Sequence, residues 1–147
     1  MTQKTLLQSA GDGTAIAAGY VNELSAISSV TAIAPGASGA YKSVTSITIN
    51  KGIYLVFAKL DFELSATGIT GLSAIGGGIS TQTNALDNNQ QRVLMGTSVA
   101  TNADLTVSPR YFSVSSDNTS FYLVSRIDYS SLGTAKVGGL IYAVRIA

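Results

Sequence analysis

Apolar and polar residues alternate with period two along much of the chain, and the longest such run is Gly52 to Leu64, GIYLVFAKLDFEL. Its even positions, Tyr54, Val56, Ala58, Leu60, Phe62 and Leu64, are all apolar. Its odd positions are Ile53, Leu55 and Phe57, followed by Lys59, Asp61 and Glu63. Successive side chains of a strand point to opposite faces. One face of this strand is therefore buried along its whole length, while the other is apolar only in its first half. A sandwich covers one face. The second apolar surface, at Ile53, Leu55 and Phe57, requires either a loop folded across it or another subunit.

The rest of the chain reads in the same grammar. Leu24 to Ile33 is a strand with loose alternation, ended by the Pro35-Gly36 pair. Tyr41 to Ile49 alternates clearly, and Asn50-Lys51-Gly52 is a tight turn that predicts a hairpin with the long strand. Gly71 to Thr81 is Gly-rich, and Gly76, Gly77 and Gly78 suit a bulge or a close backbone approach. Arg92 to Ser98 and Leu105 to Val114 follow, with Pro109 placing the latter at an edge, a bulge or an end. After the turn at Ser115 to Thr119, Phe121 to Tyr129 directs Phe121, Leu123, Ile127 and Tyr129 to one side. Lys136 to Ile146 aligns Leu140, Tyr142, Val144 and Ile146 on one face. No stretch carries a capped 3.6-residue apolar period, so almost no helix is expected. Short strands separated by turn residues predict an all-β fold, a single jelly-roll β-sandwich of about eight to ten antiparallel strands. An immunoglobulin-like sandwich is the structural rival, weakened by the missing Cys pair and core Trp.

Composition narrows the function. The 147 residues suit one domain with a sizeable core. Residues 1–16 are polar and Gly-containing and read as an N-terminal arm, leaving 17–147 as the sandwich domain. The chain is 46% hydrophobic and only 12% charged, with a net charge of +1 and basic residues scattered singly. Nothing there is a footprint for nucleic acid. No apolar run reaches the roughly 18 residues of a membrane span. The N-terminus lacks the apolar core of roughly 7–15 residues that marks a secretory signal, so synthesis in a cytoplasm is expected. There is no Cys and no His. Thiol nucleophiles, disulfides, the commonest general base and the commonest zinc ligand are all unavailable. Eight carboxylates remain for chemistry. Neither an enzyme nor a bound cofactor or metal is expected.

Four segments carry a resemblance: GYVNE at 19–23, ITINKGIYLVFAKLDFEL at 47–64, SPRYFSVSSDNTSFYLVSRIDYS at 108–130 and GGLIYAVRIA at 138–147. Together they resemble a family of bacteriophage virion domains, themselves similar to the trimeric jelly rolls of tumour necrosis factors and complement globular heads. Such domains serve as tail-fibre tips, head fibres and capsid decorations. The resemblance spans about residues 17–147 and is carried mostly by β-sandwich grammar. It implies a non-enzymatic structural protein of the virion, made in the host bacterial cytoplasm and assembled as a homotrimer. The arm at 1–16 would hold it to other capsid or tail proteins. The chain lacks a shaft of fibrous repeats or heptads, which favours a decoration, head-fibre or fibre-knob protein over a complete tail fibre. The alternative is a receptor-binding tail-fibre tip that recognises a glycan or protein on the host surface.

Candidate residues follow from both readings. Ile53, Leu55, Phe57, Tyr54, Tyr122 and Tyr142 are the interface candidates, because Tyr and Phe bury large apolar rings and are enriched where subunits meet. A core role is open for each aromatic. The polar loop at 84–91, with Asn84, Asp87, Asn88, Asn89, Gln90 and Gln91, is the candidate ligand loop, since amides and carboxylates hydrogen-bond sugar hydroxyls and loops carry function. The same composition belongs to any long hairpin loop. Asp61 and Glu63, two apart on one face beside Lys59, invite comparison with a glycosidase carboxylate pair. Charges at the wet end of a strand explain them more simply.

Overall fold

The computed structural model describes residues 24–87, 93–97 and 101–147. Within them the chain forms eight strands: β1 Leu24–Ile33, β2 Tyr41–Ile49, β3 Gly52–Glu63, β4 Ala74–Ser80, β5 Val93–Gly96, β6 Ala103–Val114, β7 Thr119–Asp128 and β8 Lys136–Arg145. Two four-stranded sheets, ordered β1-β8-β3-β6 and β2-β7-β4-β5, pack as an antiparallel β-sandwich. They are called sheets A and B below. The strand pairs are nested: β1 with β8, β2 with β7, β3 with β6 and β4 with β5. The arm at 1–16 and Asn88, Asn89, Gln90 and Gln91 of the polar loop lie outside the described residues.

β3 is central in sheet A, hydrogen-bonded to β8 on one side and β6 on the other. Its even side chains go into the core as the alternation requires, from Tyr54 and Val56 through Leu60 to Phe62. They meet Ile75, Ile79, Phe121, Leu123 and Ile127 of sheet B, and Val107, Ile141 and Ala143 from their own sheet. Phe112 and Phe121 close the core across the two sheets, with ring centroids 4.2 Å apart and tilted.

The expected hairpin between β2 and β3 does not form. β2 pairs with β7 in sheet B, whereas β3 lies in sheet A. The turn at Asn50-Lys51 is a corner between sheets, and its backbone is held by the neighbouring turn: Lys51 donates its amide to Asp117 Oδ1 at 2.8 Å. Asn118 of that second turn takes a left-handed φ of 58°, which Asn tolerates better than most residues. A tight turn specifies a change of direction, and twist together with packing decides whether the next strand pairs or crosses.

Pro109 sits where its missing amide hydrogen does least harm. β6 is an edge strand of sheet A, and its register against β3 slips between Val56 and Ala58, opposite Arg110 and Val107. Ser108 and Pro109 form the bulge. This restricts pairing along that edge and reverses the alternation beyond it. Leu105 and Val107 face the core before the bulge, Phe112 and Val114 after it.

The Gly76-Gly77-Gly78 run is a close approach with an uninterrupted register and no bulge. A Cβ on Gly77 would lie 2.2 Å from the Val124 carbonyl oxygen and 2.4 Å from Leu60 Cδ1. β4 is buried throughout.

Candidate functional site

The outer face of sheet A carries the main surface feature of the described residues. On β3, Ile53, Leu55 and Phe57 face outward. The register puts Val144 beside Leu55 and Tyr142 beside Phe57 on β8. Phe57 and Tyr142 stack, with centroids 5.0 Å apart and ring planes 11° from parallel. β1 adds Leu24 opposite Val144 and Ile27 opposite Tyr142, and β6 adds Tyr111 opposite Leu55. Leu24, Ile27 and Tyr111 are 54%, 61% and 60% exposed, high values for side chains so large and apolar. Single exposed apolar residues are ordinary, whereas here the apolar side chains form one contiguous set across four strands.

The interface candidates therefore divide. Ile53, Leu55, Phe57 and Tyr142 share this face. Tyr54 does not: it points the other way along the strand and is only 1% exposed, inside the core of the single chain. Tyr122 lies on β7, alternating with the buried Phe121 and Leu123, and so faces outward from sheet B. A surface formed by sheet A cannot include it. The outer face of sheet B is polar where β2 meets β7, with Ser46 opposite Tyr122 and Thr48 bonded to Ser120. Sequence alternation missed Tyr111, because the bulge sets its direction, and left Leu24 and Ile27 unassigned in a loosely alternating strand.

The far end of the same face is charged. Lys59 Nζ stands 2.8 Å from Asp61 Oδ1 and 3.0 Å from Asp104 Oδ2, and Asp61 and Asp104 are directly opposed in register. Hydrogen bonds to Asp61 and then Asp104 hold the Lys59 ammonium above its ordinary range. Lys59 in turn holds Asp104 below the ordinary carboxylate range. The two carboxylates thus share one cation at the surface, which leaves one negative charge of the trio uncompensated. Glu63 stands opposite Lys136 at the strand end. Among the described residues no group of three His, Cys, Asp or Glu side chains is placed to hold a metal.

The described part of the polar loop is committed to the scaffold. Asn84, with a left-handed φ of 56°, accepts the Ser43 amide at 2.7 Å and donates its own amide to Ser43 Oγ at 3.0 Å. Asp87 accepts from Ser80 Oγ, from the Thr81 amide and hydroxyl, and from Arg110 Nη1 at 2.9 Å. Arg110 follows the bulge and stands opposite Val56, so it points between the sheets. There it also donates to the Ile79 carbonyl and lies over the Phe112 ring, 4.5 Å from its centroid. Asp87 and Arg110 are 19% and 16% exposed, and their ion pair joins the edge of sheet A to the end of β4. Hydrogen-bonding groups used in this way are not free for a ligand.

Burial opposes ionisation of Asp87, but the hydrogen bonds from Thr81, Arg110 and Ser80 together outweigh it and lower its pKa. A carboxyl with a folded pKa below its unfolded value stabilises the fold above the unfolded pKa. That contribution is lost as pH falls through the folded value. Asp87→Asn should lower stability at neutral pH by about 1–2 kcal/mol, since it leaves Arg110 without its charged partner. The gap between variant and wild type should narrow as the pH drops below about 4, the ordinary carboxylate range. Urea unfolding of both proteins at a series of pH values measures this; a gap independent of pH would contradict it.

Comparison with protein-family models and with curated protein sequences finds no match to this chain.

Proposed function

We propose that the chain is a non-enzymatic structural protein of a bacteriophage virion. It would be a homotrimeric decoration or head-fibre/fibre-knob protein, folded as a jelly roll of the tumour-necrosis-factor type and held to the particle by its N-terminal arm. The observation that carries the assembly reading is the apolar outer face of sheet A, centred on the stacked Phe57 and Tyr142. A second chain covering that face removes Leu24, Ile27, Leu55, Phe57, Tyr111 and Tyr142 from water together. The nested pairing supports a jelly roll, in which an eight-stranded antiparallel ribbon is wrapped into two sheets. The immunoglobulin order keeps its first two strands in one sheet, whereas here β1 and β2 lie in different sheets. The virion role itself rests on the family resemblance.

A protein of this kind acts through geometry: rigid sandwiches share their apolar faces, and several arms bind the particle at once. The ion-paired Lys59, Asp61 and Asp104 cluster supports a surface role over an acid–base pair. The receptor-binding alternative is weakened at the polar loop, where Asn84 and Asp87 are occupied within the fold.

Solution mass by light scattering tests the assembly. Three 15.1 kDa chains give about 45 kDa, and a 15 kDa particle at micromolar concentration would refute the homotrimer. Removal of residues 1–16 should then leave that mass scaled to the shorter chain while abolishing occupancy on the particle. Full occupancy without the arm would overturn the anchoring role.

A further inference from the structure

Val124 stands apart from the other buried apolar residues. It alternates on β7 with Leu123, which faces the core, and so points to the outer side of sheet B. Yet it is fully buried, and it lies outside the core cluster. Its neighbours in register are Ser43 on β2 and Gly78 on β4. Two residues along β7, the adjoining outward row is Ser46, Tyr122 and Ser80. Glycine and serine bring little bulk to this part of the sheet. Val124 therefore owes its burial to a segment laid across it.

The course of residues 81–87 supplies such a segment. It leaves β4 after Ser80, and at Asn84 it has reached Ser43, in the row of Val124 but on β2, with β7 between. At Asp87 it is back beside Ser80 and Thr81. The inner side of the sheet is filled there by Ile79, Phe121 and Leu123, so the excursion crosses β7 on the outer side. Leu86, the large apolar side chain of the segment, is half-buried. The two fastenings are unequal. Asp87 is held by the largely buried Arg110 and by Ser80 and Thr81. The reciprocal pair between Asn84 and Ser43 is exposed, where water competes for each hydrogen bond. Asn84 also keeps a left-handed φ of 56°, a conformation that disfavours an L residue.

We infer that residues 81–87 form a strap that opens as a unit on the folded sandwich, releasing at the Asn84–Ser43 clasp and pivoting on the Asp87–Arg110 anchor, and that its opening uncovers Val124. Segments open locally, at a cost below that of global unfolding, where their backbone hydrogen bonds are exposed and few apolar groups are buried with them. The strap meets both conditions at its Asn84 end and neither strand pairing nor the core depends on it. Sheet B then differs from sheet A in kind. Its outer face carries an apolar position that a folded molecule shows only when the strap lifts. The inference is independent of self-association, since every group it uses lies within one chain.

Thiol labelling tests it, and a chain without Cys is suited to the method. Val124→Cys places the probe under the strap, and Leu123→Cys places a control in the core beside it. Each variant is treated with an aromatic disulfide reagent over a series of urea concentrations below the unfolding transition. Val124→Cys should label at a rate almost independent of urea, because lifting the strap exposes little surface, whereas Leu123→Cys should follow global unfolding and rise steeply with urea. Adding Asn84→Ala, which removes the acceptor for the Ser43 amide, should speed labelling of Val124→Cys by roughly tenfold, the equivalent of one hydrogen bond. The same steep urea dependence at both positions would overturn the inference, as would a rate indifferent to Asn84→Ala. Hydrogen exchange of the unsubstituted chain gives an answer that requires no variant to fold. The amides of Ser43, Thr81 and Asn84, bonded across or within the strap, should exchange independently of urea while those of β3 await global unfolding. Exchange of all of them together with β3 would equally refute the strap.

Discussion

Phe57→Asp is expected to convert the proposed homotrimer into folded monomers. The side chain points away from the core of its own chain and stacks on Tyr142 at the centre of the apolar face. Burying a Phe ring stabilises a contact by about 1.5–3 kcal/mol, and a carboxylate placed there must also be stripped of water. The loss per contact is therefore at least about 3 kcal/mol, roughly a hundredfold or more in the association constant. Light scattering should show a fall from about 45 kDa toward the 15.1 kDa of one chain. Circular dichroism and the unfolding transition of the monomer should remain those of a β-sandwich. An oligomer of unchanged mass and affinity would rule out this face as the contact.

Three residues earlier on the same strand, Tyr54→Ala should do the opposite. Tyr54 is buried in the core, with Arg145 over its ring and Phe112 beside it in register. Aromatic-to-Ala substitutions in packed cores cost about 3–5 kcal/mol, because the cavity is refilled only in part. For a domain of this size that corresponds to a drop in melting temperature of roughly 10–15 °C. The defect should appear in the unfolding free energy of the monomeric Phe57→Asp background as well, where no assembly contributes. If Tyr54→Ala left that free energy within about 1 kcal/mol of its parent, the packing described for the core would be wrong. Neighbouring aromatics with opposite phenotypes are the signature of period-two alternation.

Much of the sandwich was legible in residue order because a strand encodes its two faces locally. Alternation alone puts the even positions of β3 on one buried face, and Val56, Leu60 and Phe62 are in the core. The Pro109 rule was equally local: a residue without an amide hydrogen belongs at an edge or a bulge, and β6 is an edge strand with a bulge at that point. Sheet membership was not local. The turn at Asn50-Lys51 reads as a hairpin, yet β2 and β3 belong to different sheets, because partner choice depends on twist and on which apolar faces must meet. Tyr54 and Tyr122 were open between core and interface for the same reason. An aromatic ring has equal reason to leave water in either place.

The candidate site shows the division most clearly. Alternation alone determined that Ile53, Leu55 and Phe57 form a second apolar surface on β3, and that Lys59, Asp61 and Glu63 end it. Whether that surface extends beyond one strand depended on register. Only pairing with β8 stacks Tyr142 on Phe57, and only pairing with β1 and β6 brings Ile27 and Tyr111 onto the same face. The bulge at Ser108 and Pro109 then turns Tyr111 outward and Arg110 inward, toward Asp87. Side-chain direction along one strand is a property of consecutive residues. The breadth of a face and the partner of a buried charge are properties of residues distant in the chain, which come together only when the sheets pair.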